Sequence, residues 1–183
     1  MVGDGIKTLS SAIGPSCTGR SVQVVLPLDR ISGGKSADRL ERIMDSWLVF
    51  PTVTVAAMNG HAFGAGAQIA LGHDYRVMRS DRGYFCMPEI DMKAPLHPGM
   101  TAIIQARLPR QTAHEVIVTG TRYGGAQAEA CCIVDHAVPE TEVIPRAVEL
   151  AAALAGKADL AMATLKRGMY PEVLDALGRD LET

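Results

Sequence analysis

The chain has 183 residues, 48% of them hydrophobic, with 18 Lys plus Arg against 20 Asp plus Glu and a net charge of -2. That is long enough for one domain with a sizeable core, and too apolar for a disordered chain. The near-balance of charge argues against broad contact with nucleic acid or an acidic membrane, which needs a dense basic face, while leaving room for a local anion site.

Residues 1–20, rich in Gly, Ser and Thr, show no sustained periodicity and read as loop. "VQVVLPL" (22–28) has the composition of a buried strand that ends at Pro27 or lies at an edge. Ser36 is a candidate cap for a helix in which Leu40, Ile43, Met44, Trp47 and Leu48 recur at helical spacing, and Pro51 stops it. "TVTVAAM" (52–58) is β-branched and apolar on both faces, as a central parallel strand requires. "DYRVMRS" (74–80) reads as the next strand, and the interval fits a crossover helix beginning near Ala65. After the Pro-rich stretch "MPEIDMKAPLHPG", helical patterns dominate, at about 99–107, 110–119, 125–132, 140–155, 158–168 and 171–181. Strands first and helices last, without internal repeats, predict one α/β domain with a core over 1–135 and a helical part over 136–183.

Cys17, Cys86 and the adjacent pair Cys131 and Cys132 show no CxxC spacing and read as small, reduced core residues of a cytoplasmic protein. No stretch is long and apolar enough for a membrane span, the start lacks the pattern of a signal peptide, and "DLET" is not a peroxisomal address. No spacing of His, Cys and carboxylates fits a metal site.

The chemistry concentrates in "MNGHAFGAGAQIALGHD" (58–74), where a strand hands over to a helix through glycines and alanines. A dinucleotide fingerprint fails because Ile69 stands where the third glycine belongs, and no GK[ST] makes a phosphate loop. One reading is close packing of a short helix on a strand. The other uses the first N–H groups of the helix, at Gly64, Ala65 and Gly66, which have no partner within the helix and carry partial positive charge. Such groups can hold an anion or a carbonyl oxygen as it becomes an oxyanion.

This stretch resembles the central signature of the crotonase superfamily, the enoyl-CoA hydratase/isomerase proteins. The resemblance continues through "DRGYFCMPEIDM" and "VIVTGTRYGGAQAEACCIVDHAVP" and covers about residues 51–170. It implies a crotonase-like α/β spiral of ββα units with a helical C-terminal oligomerisation region, assembled as a homotrimer or hexamer. The implied ligand is an acyl-CoA thioester. No metal or redox cofactor is needed, because the thioester is the electron sink and coenzyme A is part of the substrate.

By the same resemblance the Ala65 N–H is one half of the oxyanion hole, with Gly64, Gly66 and Gln68 around the substrate. Leu26 in "SVQVVLPLD" aligns with the other donor, although Val25 stands at the usual glycine and Pro27 at the usual aspartate. Hydratases of the family use two glutamates, at the positions of Gln68 and Glu89. Gln68 cannot titrate, so one carboxylate remains. One is enough to move a double bond from 3-enoyl-CoA to 2-enoyl-CoA, and "HDYRVMRSDRGYF" with "PEIDM" looks like the isomerase branch. Glu89 among Phe85, Met87, Ile90 and Met92 would have a raised pKa; Lys93, at the family's usual glycine, would lower it if the two paired.

His97 in "LHPG" is a candidate for the wall of the acyl pocket. His61 is read as a turn histidine and His73 as one held by a structural hydrogen bond. The early strands of the family are missing or unrecognisable, which leaves open a hydratase-like protein or a catalytically impaired acyl-CoA binder.

Overall fold

Apolar residues on both faces of "TVTVAAM" require cover on both sides, and the fold supplies it. The computed structural model describes residues 23–25 and 44–178. The strands are Gln23–Val25 (β1), Thr54–Met58 (β2), Ala62–Phe63 (β3), Tyr75–Arg79 (β4), Phe85–Cys86 (β5) and His136–Val138 (β6). β1, β2, β4 and β6 lie side by side in that order as a parallel sheet. The register sets Val55 beside Tyr75 and Val77 beside His136. β3 and β5 form a separate parallel pair, with Ala62 beside Phe85.

The helices are Ala65–Leu71 (α1), Glu89–Met92 (α2), Pro98–Arg107 (α3), Arg110–Thr119 (α4), Gly125–Ala130 (α5), Glu140–Leu154 (α6), Leu160–Met169 (α7) and Pro171–Leu177 (α8); residues 44–48 are helical as well. Because strand side chains alternate, β2 and β4 feed two cores. Ala56, Met58 and Met78 join Leu71, Phe85, Met87, Ile103, Ile104 and Leu177 on one side. Val55, Ala57 and Val77 meet Val143, Ala147 and Ala151 of α6 on the other. The last three recur every four residues, so they form one stripe, and the two alanines let α6 lie close to the sheet. Residues beyond 135 thus contribute β6 and α6 directly to the layers of this core.

At the amino ends of β2 and β4 a polar knot ties the later helices to the sheet. Asp74 Oδ2 accepts from the Thr54 N–H at 2.7 Å, the Thr54 hydroxyl at 3.0 Å and Lys166 Nζ at 2.7 Å. Lys166, on α7 and only 7% exposed, also donates to the Thr52 carbonyl at 2.9 Å. Arg107 of α3 donates to the carbonyls of His73 and Asp74 at 2.6 and 2.8 Å and to the Tyr170 hydroxyl at 2.7 Å. The carboxyl ends of the strands are left for the site.

The structure departs from the sequence reading in specific places. β3, β5 and β6 are two or three residues long, too short for a periodic pattern, and none was expected. α5 stops at Ala130 rather than 132, because Cys132 turns to φ +56. Cys86 is buried as expected, Cys131 half-buried, and Cys132 exposed on that turn, so Cys132 is not a core residue. Cys17 and the expected cap Ser36 lie outside the described residues. Among the described residues no helix is long and apolar enough to cross a membrane.

Candidate active site

The chain leaves β2 at Met58, turns at Asn59–Gly60, runs through β3 and enters α1 at Ala65. Gly64 has φ +47, a left-handed conformation in which an L side chain is strained, and this explains the glycine before the helix. Its N–H donates to the Cys86 carbonyl at 3.0 Å, and its carbonyl accepts from the Gln68 N–H at 2.9 Å. Gln68 closes the first turn, so the N–H groups of Ala65, Gly66 and Ala67 have no acceptor within the helix. Gly64, Ala65 and Gly66 are half-buried, which leaves that edge open to a ligand.

β5 runs beside β3, and two residues after it Pro88 caps α2. Glu89, the first residue of α2, is thereby placed next to the glycine turn. Its Oε1 is 3.7 Å from where a Cβ on Gly64 would sit. Its Oε2 is buried with no hydrogen-bond partner. Burial pushes the Glu89 carboxyl above the ordinary carboxylate range. Lys93 is exposed and makes no ion pair with Glu89, so the lowering that a pairing would bring does not arise. Of the expected apolar neighbours, Phe85 and Met87 are buried, while Ile90 and Met92 point to solvent.

Gln68 is fully buried. Its Nε2 donates to the Met87 sulfur at 3.4 Å, and its Oε1 is buried without a partner. Gln68 and Glu89 are thus linked through one strand end, since Met87 precedes Glu89 by two residues. His97 is 4% exposed and caps α3, its Nδ1 accepting from the Gly99 N–H at 3.2 Å. His61 is exposed, with its ring stacked on Phe63 and tilted against Tyr84. His73 Nδ1 donates to the Ile69 carbonyl at 2.8 Å, the structural bond expected, and the ring stacks on Trp47. Burial pulls its pKa down to about 4, so the ring is neutral. Leu26, the expected second donor, lies outside the described residues, as does Pro27.

Sequence reading passed over Arg79, at the carboxyl end of β4. It is 7% exposed and reaches Asp81, Glu140 and the Asn59 carbonyl. An arginine in a strand pattern reads as a solvent-facing residue. The acids that hold it lie two and sixty-one positions away, so only the nearer, Asp81, was a local signal.

The fold is the crotonase fold. A solved enoyl-CoA hydratase from Mycobacterium marinum superposes with a TM-score of 0.71 at 22% identity, over 76% of this chain and 62% of that one. Residues 17–183 match the family model described as enoyl-CoA hydratase/isomerase, and the chain belongs to that family. It is 34% identical over 160 residues to the peroxisomal enoyl-CoA delta isomerase 2 of Arabidopsis thaliana, covering 81% of this chain and 66% of the relative. It is 35% identical over 112 residues to the carnitinyl-CoA dehydratase of Escherichia coli K12, covering 61% of this chain and 42% of that protein. The chain therefore spans less than two thirds of the length of these curated relatives.

Proposed function

We propose that the protein is an enoyl-CoA isomerase that moves the double bond of a 3-enoyl-CoA to the 2-position, with Glu89 as the base. The observation that carries this reading is the Glu89 carboxylate, half-buried beside Gly64, with Oε2 unpartnered and its pKa raised. A base of that kind is poised to take a weakly acidic carbon-bound proton.

Glu89 removes a proton from C2, and the electron pair of that C–H bond moves toward the thioester carbonyl to give a dienolate. The carbonyl oxygen gains charge where the Ala65 N–H, with that of Leu26 as the second donor, receives it. One such donor is worth about 10²–10³ in kcat. The same carboxyl, now protonated, returns the proton at C4 while the C2–C3 double bond forms, so no atom is gained or lost. Gly64 and Gly66 keep side chains away from the thioester, Gln68 and His97 line the substrate site, and Gln68, unable to ionise, does not activate a water. The reaction takes no metal or redox cofactor.

The similarity to an enoyl-CoA delta isomerase over four fifths of the chain supports the isomerase, and the similarity to a dehydratase supports the family chemistry more broadly. We place the chain as a homotrimer or hexamer through its C-terminal helices. We place it in the cytoplasm, in keeping with the free thiols of Cys86, Cys131 and Cys132.

The test compares wild type with Glu89→Gln on 3-hexenoyl-CoA, and wild type on crotonyl-CoA hydration. Isomerisation lost in the variant by about 10²–10⁴-fold, with acyl-CoA binding retained, is expected. Equal rates overturn the assignment. Hydration faster than isomerisation makes the protein a hydratase, and binding without turnover of either substrate makes it an acyl-CoA binder.

A further inference from the structure

We propose that Arg79 is a positioning residue for this site, holding the Asn59–Gly60 corner from which the Ala65 segment departs. The inference rests on the proposed use of Ala65 and Glu89, and it concerns how their relative placement is fixed.

Arg79 ends the central strand β4 and is 7% exposed, yet every nitrogen of its guanidinium has a partner. Nε and Nη2 donate to the two oxygens of Asp81 at 2.9 and 2.6 Å. Nη1 pairs with Glu140 Oε1 at 2.8 Å, at the start of α6. Nη1 also donates to the Asn59 carbonyl at 3.3 Å. That carbonyl sits one residue past the end of β2, where no strand partner takes it, and a partly buried carbonyl needs a donor. The bidentate pair with Asp81 fixes the plane of the guanidinium, so Nη1 has a defined direction toward the Asn59 carbonyl.

The corner is held from its other side by the same segment. Gly83 has φ +92, and a Cβ there would lie 2.4 Å from the Gly60 carbonyl oxygen. Residues 79–83 therefore grip Asn59 and Gly60 between a guanidinium and a glycine turn. From this grip β3 and β5 leave side by side, joined by Ala62 N–H to Tyr84 O at 2.8 Å and Gly64 N–H to Cys86 O at 3.0 Å. β3 leads into Ala65 and β5 leads to Glu89. A shift of the corner slides the oxyanion donor relative to the base without touching either. The partners of Arg79 are Asp81, Glu140 and the Asn59 carbonyl, not Glu89 or Ala65, so it acts through the backbone.

The test uses Arg79→Gln, with Glu140→Gln as the companion, since the second removes an ion-pair partner and leaves the bond to Asn59. Arg79→Gln is expected to lower kcat on 3-hexenoyl-CoA by about 10–100-fold with KM within about threefold, the scale of a misplaced catalytic group. Amide hydrogen exchange over 59–68 should speed up in Arg79→Gln and stay as in wild type in Glu140→Gln, whose kcat stays within about twofold. If Arg79→Gln does not fold, Arg79→Lys is used, because a lysine cannot reach Asp81 bidentately and Asn59 together. Wild-type kcat and unchanged exchange over 59–68 in the Arg79 variant overturn the proposal, as does an equal loss of kcat in Glu140→Gln. If wild type turns over neither enoyl-CoA substrate, the isomerase reading falls, and the exchange measurement alone decides the role of Arg79.

Discussion

A carboxylate that loses water on burial, with one oxygen left without a hydrogen bond, holds its proton more tightly. Glu89 is in that position, and two consequences have definite signs. As a base it works only when ionised, so the acidic limb of the pH profile of kcat/KM should lie above the range of an ordinary glutamate. A profile flat down to the ordinary carboxylate range would remove Glu89 as the titrating base. For stability the sign is reversed. The folded form has the higher pKa, so the group's favourable contribution is full below the unfolded pKa and is lost as pH rises through the folded one. Glu89→Gln should therefore unfold at a higher temperature than wild type at pH 7, with the gap closing in acid. Calorimetry across pH checks this, and a variant less stable at pH 7 contradicts it. The glutamate itself was legible, because "PE" stands out beside "GHAFGAGAQ". Its setting was less so, since Ile90 and Met92 are apolar in sequence yet face solvent in a one-turn helix. The orphan oxygens of Gln68 and Glu89 depend on how two short strands align, which no spacing encodes.

Short elements carry the site, and their ends are where substitutions speak. α2 closes at Lys93, which has φ +54. A left-handed lysine costs about 1–2 kcal/mol, a cost glycine escapes while giving some of it back as chain entropy. Lys93→Gly should thus stabilise the fold by about 1 kcal/mol. Denaturant titration measures it, and a destabilised variant would mean the side chain makes a contact that outweighs the backbone. At the other end of the sheet, Lys166 is held in a pocket by Asp74 and the Thr52 carbonyl. Lys166→Met takes the cation from Asp74, whose part-exposed carboxylate keeps its bonds to Thr54, and should cost about 1–3 kcal/mol. A loss under about 1 kcal/mol in the same titration would show the pair to be solvated. The periodic helices and the β2–α1–β4 crossover could be read from sequence because each carries enough residues for a pattern. β3, β5 and β6 could not, since two or three residues hold no period, and they form only because the parallel sheet and the Gly64 turn bring their partners alongside. Arg79 and Lys166 escaped for a related reason: a charged residue is assigned to solvent, and beyond Asp81 the groups that bury these two, Glu140 and Asn59 for Arg79 and Asp74 for Lys166, lie far along the chain.

At the level of the whole molecule, the central strands β2 and β4 are covered on both faces, whereas α7 leaves apolar side chains exposed. Leu160, Leu165 and Met169 of α7 are 78%, 69% and 65% exposed. Leu165 and Met169 are four residues apart and share a face, whereas Lys166 between them points inward to Asp74. The helix is thus pinned by a charge on one side while it presents apolar side chains on another, an arrangement that suits burial against a second copy. The family resemblance implies an oligomer, and the exposed apolar residues of α7 are where a subunit contact is expected. Light scattering behind size exclusion should give the mass of three or six chains for wild type. Leu165→Glu combined with Met169→Glu places two carboxylates on that face, where burial of unpaired charge is prohibitive, and should shift the protein to a smaller species. Circular dichroism on the same sample separates dissociation from unfolding, because Lys166 and its partners are untouched. A wild-type monomer would exclude assembly, and an unchanged oligomer in the double variant would move the interface off α7. A smaller species that keeps its helical signal would place the subunit contact on the outer face of the helix whose inner face anchors Asp74.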